Sequence, residues 1–138
     1  MSEKQKTCQE RVQGELEDRM SDIRRLWRGY QKDPDKSVGD LGTFSDYGLG
    51  FDYVAPGTFG DQKRGFFRYQ ISWGGPSDEF RFYCDENFKP VEIEYWFLDW
   101  GDGASITLSG KDYDLLEEIF QDFKEMGAVK SEFDKSKV

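Results

Sequence analysis

The sequence predicts an α+β fold: an antiparallel four- to five-stranded meander sheet with an N-terminal and a C-terminal helix packed on one face. Three observations carry that prediction. Apolar residues recur at helical spacing near each end of the chain. Between those ends, several short runs alternate apolar and polar residues, the period of a half-buried strand. Segments rich in Gly, Pro, Asp and Asn separate the runs at hairpin spacing. The order helix, hairpin-connected strands, helix is that of a layered α+β domain.

Residues 1–8 are expected to be disordered, 9–127 to form a single domain and 128–138 to form a flexible tail. From about Gln9 to Tyr30, the residues Val12, Leu16, Met20, Ile23, Trp27 and Tyr30 form one stripe of an amphipathic helix. Arg24, Arg25 and Arg28 cluster on its polar side. Their spacing predicts a solvated face with Glu and Asp partners one turn away. The stretch "QKDPDKSVGDLGTFSDYG" reads as a loop, "LGFDYV" as a short strand and "APGTFGDQK" as turn material.

The segment "FFRYQISWGGPSDEFRFY" then reads as a hairpin. Phe67, Tyr69, Ile71 and Trp73 face one side, with Arg68, Gln70 and Ser72 on the other. After the turn, Phe80, Phe82 and Cys84 oppose Glu79, Arg81 and Tyr83. "DENFKP" turns again, and "VEIEYWFL" sets Val91, Ile93, Tyr95 and Phe97 against Glu92, Glu94 and Trp96. "DWGDG" is a turn before a last strand, "ASITL". In "SGKDYDLLEEIFQDFKEMG" a second helix buries Leu115, Leu116, Ile119, Phe120 and Phe123. Ser109 with Asp112 resembles a capping box, and Gly127 is its expected C-terminal cap.

Composition narrows the function. Apolar residues are only 36% of the 138, but 17% are aromatic, and large rings fill a core with few residues. The net charge of −9 argues against direct nucleic-acid binding and suits a basic protein partner. No apolar run approaches membrane-spanning length, and the polar N-terminus does not read as a secretory signal. With Cys8 near a frayed end, a disulfide with Cys84 is not expected, and a reducing cytoplasm is the predicted setting. The absence of histidine excludes Ser-His-Asp and Cys-His catalysis and removes the commonest zinc ligand.

No catalytic, metal or cofactor site is predicted. "DWGDG" lacks the alternating oxygens of a calcium loop, and "GGPS" lacks the lysine of a phosphate loop. Asp78-Glu79 and Asp85-Glu86 are weak acid–base pairs in a chain with 28 carboxylates. A carboxylate-dependent hydrolase using Asp99 or Asp102 is the enzymatic alternative, and it requires one carboxyl with a raised pKa.

Two binding surfaces are predicted instead. The first is the sheet face away from the helices, where Arg68 and Arg81 oppose carboxylates across strands and Tyr83, Trp96 and Trp100 join them. Tyr, Trp and Arg are enriched at binding hot spots, so this face reads as a protein-binding adaptor, with a homodimer as one occupant. The second is a carboxylate stripe on the C-terminal helix, Asp114, Glu118, Asp122 and Glu125, extended by Asp40, Asp46, Asp52 and Asp61. A fixed row of carboxylates competes with DNA phosphates for a basic groove. The acidity is uneven: residues 1–37 hold nine basic and eight acidic residues, and residues 38–110 hold five and twelve.

The segments "GLGFDYVAPGTF", "RYQISWGGPSDEFRFY" and "EYWFLDWGDGA" resemble small proteins carried by phages and plasmids, over about residues 44–125. The resemblance implies a mobile genetic element, where small acidic proteins counter host restriction or CRISPR nucleases. The expectation is therefore a non-enzymatic interaction module that inhibits a basic nucleic-acid-binding enzyme by DNA mimicry. One departure from DNA mimics is the 19 basic residues that the chain retains.

Overall fold

The structure is a computed structural model that describes residues 6–137. Among them the chain forms α1 (Cys8–Lys32), a short 3-10 turn (Gly39–Leu41) and a one-turn α2 (Phe44–Tyr47). The strands follow as β1 (Gly50–Val54), β2 (Phe66–Ser72), β3 (Ser77–Cys84), β4 (Pro90–Asp99) and β5 (Asp102–Thr107), then α3 (Gly110–Glu125) and α4 (Ala128–Lys135). The sheet order is β1-β2-β3-β4-β5, and every neighbouring pair is antiparallel. The predicted α+β meander is the observed fold.

α1 begins where Thr7 and Glu10 cap each other's backbone in a reciprocal capping box. The expectation of disorder over residues 1–8 is corrected at its C-terminal end, since Cys8 is helical and buried; residues 1–5 lie outside the described residues. The apolar stripe of α1 covers β4 and β5. α3 covers the strands nearer β1, stacking Phe120 at 4.9 Å on Phe82 and setting Phe123 at 4.9 Å from Phe51. Ser109 makes no side-chain cap, and the Asp112 carboxylate pairs with Arg24 of α1.

Gly127, at φ 85, ends α3 in the left-handed conformation that glycine adopts without strain. The chain then enters α4, which corrects the expectation of a flexible tail over 128–138. Val129 is buried, and the Phe133 ring lies 5.0 Å from Tyr53 and 5.1 Å from Phe88.

Two residues grouped with the apolar sides of their strands are exposed instead. Trp73 is 75% exposed and Val91 is 62% exposed. β2 ends at Ser72 after a register shift, so Trp73 belongs to the loop. A second shift pairs Cys84 with Pro90 and turns Val91 outward.

β3 holds two consecutive buried carboxylates on opposite faces. On the helix side, Asp78 accepts from Arg19 Nε at 2.6 Å, Arg19 Nη2 at 3.1 Å, Tyr95 Oη at 2.6 Å and the Ser72 hydroxyl. This network ties α1 to the base of the β2–β3 hairpin. The Tyr95 phenol is pushed up by burial and by its bond to Asp78. Glu79, on the far face, accepts from Arg81 Nε at 2.8 Å. Each buried carboxylate has its own arginine, as burial of charge requires.

Candidate functional site

The far sheet face brings Arg68, Arg81, Tyr83 and Trp96 together, as predicted, but each is engaged by neighbouring side chains. Arg68 forks onto Asp52 of β1 at 3.0 and 2.8 Å. Arg81, in register with both Arg68 and Glu94, pairs within its own strand to Glu79. Its guanidinium stacks 4.2 Å over Trp96 and 4.6 Å over Phe66. Glu94 Oε1 accepts from the Tyr83 hydroxyl at 2.8 Å and from Trp96 Nε1 at 3.0 Å. Burial, with that bond, pushes the Tyr83 phenol up to about 12. Arg64 lies 4.0 Å over the Tyr83 ring and reaches Glu92 at 3.3 Å. Such a face is a closed lattice of ion pairs and stacked rings. Trp100 is not part of it.

The acidic row lies along α3, with Asp114, Glu118 and Glu125 exposed and Asp122 half-buried. Two of the four bridge to α1: Glu118 accepts from Gln31 Nε2 at 3.0 Å and Asp122 from the Tyr30 hydroxyl at 3.2 Å. Asp52, expected to extend the row, sits on the far sheet face with Arg68.

Antiparallel order puts the β2–β3 and β4–β5 connections at the same end of the sheet. That end carries the two most exposed large hydrophobics among the described residues, Trp73 and Trp100 at 92%. Asp99 and Asp102 are cross-strand partners, which leaves Trp100-Gly101 as a two-residue turn. Its φ values are 50 and 73, left-handed at both positions. Two such residues mark a type I′ hairpin turn, where Asn-Gly and Asp-Gly are favoured. A tryptophan in the left-handed region is strained by about 1 kcal/mol.

The carboxylates that flank this turn anchor it to α1. Asp99 Oδ2 accepts from Arg11 Nη1 at 2.8 Å, and Arg11 also lies 4.6 Å over the Phe97 ring. Asp102 accepts the Cys8 amide at 2.9 Å and the Gly103 amide at 2.9 Å. Those bonds, the Cys8 amide first, hold the Asp102 carboxyl below its usual range. An acid–base hydrolase would need the opposite shift. A shallow cleft of ≈ 350 Å³ runs from Gly74 past Ser77 and Leu98 to Trp100.

Burial pushes the half-buried Cys84 thiol up to about 12, so it stays protonated and unreactive. Among the described residues, no cluster of His, Cys, Asp and Glu has the arrangement of a metal site. Nor is any helix among them long and apolar enough to cross a membrane. Sequence reasoning placed Trp73 inside; the signal that could have exposed it was the Gly-Gly-Pro directly after it, which ends the strand. Comparison with protein-family models, curated proteins and solved structures returned no match to the chain.

Proposed function

We propose that the protein is a non-enzymatic binding module that engages a protein partner through the sheet end carrying Trp73 and Trp100. One observation carries this reading: Trp100 gains nothing from the fold. It is 92% exposed, so its ring contributes no burial, and at φ 50 it strains the turn it occupies. Replacement by Asn or Gly would serve the hairpin better. Tryptophan is the residue most concentrated at binding hot spots, where covering its ring supplies what folding did not. The net charge of −9 favours a basic partner and speeds encounter with it.

The carboxylates of α3 support a second reading, that the acidic surface occupies the nucleic-acid groove of a basic enzyme. In the setting of a mobile genetic element, that enzyme would be a host restriction or CRISPR nuclease in the bacterial cytoplasm. The observation favouring it is the row Asp114, Glu118 and Glu125, exposed on one helix. Both readings need a protein partner and no catalysis.

A pull-down from bacterial lysate at low and high salt, with bound proteins identified by mass spectrometry, tests them together. The tryptophan reading expects a partner that survives high salt and is lost with W73A/W100A. Mimicry expects a nuclease or DNA-binding complex held only at low salt and lost with D114N/E118Q/E125Q. A partner indifferent to both variants defeats both readings. Self-association through the tryptophans would appear as a wild-type dimer in sedimentation that W73A/W100A makes monomeric.

A further inference from the structure

The chain has eight arginines, and six of them form ion pairs: Arg11, Arg19, Arg24, Arg64, Arg68 and Arg81. The other two, Arg25 and Arg28, have no ion-pair partner among the described residues, and both line one cleft at the C-terminal end of α1. Lys32 and Lys36 complete its basic lining, and its volume is ≈ 440 Å³. The expectation that this cluster is balanced by Glu and Asp one turn away is therefore corrected. Arg28 has Arg24, Arg25 and Lys32 as its neighbours at helical spacing. Asp22, one turn before Arg25, is engaged by the Tyr47 hydroxyl at 2.9 Å. Arg24 reaches Asp112 on another helix. Like charges at this spacing destabilise a helix.

The fold builds this cleft. An added Cβ at Gly29 would lie 3.1 Å from the Val38 side chain and 3.2 Å from that of Lys36. Absence of a side chain at position 29 thus lets the following loop return over the helix and bring Lys36 beside Arg28 and Lys32. Arg25 Nη2 lies close to the backbone of the same loop, 3.6 Å from where a Cβ on Gly39 would sit. The one carboxylate in the lining, Asp33, accepts the Asp35 amide at 3.0 Å and pairs with none of the four cations. Favourable interaction with the helix dipole accounts for Lys32 in the last turn, but that effect fades within a turn and does not reach Arg25.

We propose that this cleft is a binding site for a small phosphate-bearing anion of nucleotide size. Four cations against one occupied carboxylate suit a multivalent oxyanion, and guanidinium groups fork onto phosphate oxygens. The volume falls in the range of small-molecule sites. A long polyanion would be opposed by the chain's net charge of −9, whereas a compact anion meets chiefly the local field of the four cations.

Isothermal titration calorimetry at low salt, with inorganic triphosphate and with ATP as probes, tests the site. Expected is saturable one-to-one binding that weakens with salt and is weakened about tenfold or more by R25Q/R28Q. K130Q/K135Q, which removes two lysines paired on α4, is expected to bind as the wild type does. Tighter binding of ATP than of inorganic triphosphate, which carries the same three phosphates, assigns a nucleotide, and equal binding assigns the phosphate chain alone. If R25Q/R28Q does not fold, K32Q/K36Q carries the same expectation at two exposed side chains. Absence of saturable binding, affinity unchanged in the cleft variants, or tighter binding of a single-stranded oligonucleotide or poly-glutamate than of ATP overturns the proposal.

Discussion

Among the described residues, two other than glycine take positive φ, Phe88 at 60 and Trp100 at 50, and each sits in a hairpin turn of the same sheet. The β3–β4 turn stores its strain under packing. The Phe88 ring meets Phe67 at 5.9 Å and Phe133 at 5.1 Å, so the left-handed backbone is the condition for filling the space between sheet and α4. The β4–β5 turn has no such return, since Trp100 points its ring into solvent. Strain offset by burial is a folding device. Strain offset by nothing inside the chain is what the proposed contact role of Trp100 would account for. The same large aromatic type in the same backbone region thus reads as structure at one end and as a contact surface at the other.

The largest expected effect tests whether the tryptophan end rests on a rigid base. Asp78→Ala strands the half-buried Arg19 guanidinium and the Tyr95 hydroxyl, and should cost about 3–5 kcal/mol. Urea denaturation measures it. A loss under about 1 kcal/mol would mean that Asp78 does not brace the β2–β3 hairpin.

Phe88→Gly and Trp100→Gly break the comparison directly, because each removes the ring and relieves the backbone. Phe88→Gly should destabilise by roughly 2 kcal/mol, since lost packing outweighs relieved strain for a half-buried ring. Trp100→Gly should stabilise by up to about 1 kcal/mol and weaken partner binding by about 2 kcal/mol or more. Paired denaturation and binding curves on both variants check the signs. If Trp100→Gly destabilises the protein as Phe88→Gly does, the two turns are alike and the argument for an exposed contact residue collapses.

The contrast also shows what the sequence made legible. Alternation found the meander, the hairpin order and most of the core face, because period two survives wherever ladders are regular. It misplaced Trp73 and Val91, which lie just past register shifts that no local pattern locates. α4 is not legible in the pattern because the apolar residues it packs, Ala128, Val129 and Phe133, are few and sit in a charged tail. "DWGDG" was legible as a turn, but the positive φ at Trp100, and hence its isolation from Arg68 and Arg81, follows from the two-residue spacing of Asp99 and Asp102. The closed lattice on the far face was half legible. Its members were identifiable from alternation, while their mutual satisfaction depends on Glu79 and Glu94 falling beside Arg81, Tyr83 and Trp96 in three dimensions.

The smallest expected effect concerns pH, and it separates the turns once more. Asp85 closes the β3–β4 turn on itself, accepting the Asn87 amide at 2.9 Å and the Lys89 amide at 3.0 Å. Asp102 instead reaches out of its turn to the first residue of α1. Both carboxyls are held below their ordinary value of 3.8, Asp85 first by the Lys89 amide and Asp102 first by the Cys8 amide. A carboxyl depressed in the folded state contributes stability that is present above its unfolded pKa and lost as the pH falls through the folded one. Thermal melting should therefore be flat from pH 7 to about 5 and decline below about 4. Asp85→Asn and Asp102→Asn should each lower stability at neutral pH and make that acid decline shallower. Only Asp102→Asn should also loosen the start of α1, seen as faster amide exchange over the first turn at neutral pH. Equal exchange in the two variants would show that the Asp102–Cys8 bond does not hold the start of α1, leaving Arg11–Asp99 as the tie between the tryptophan end and the helix layer.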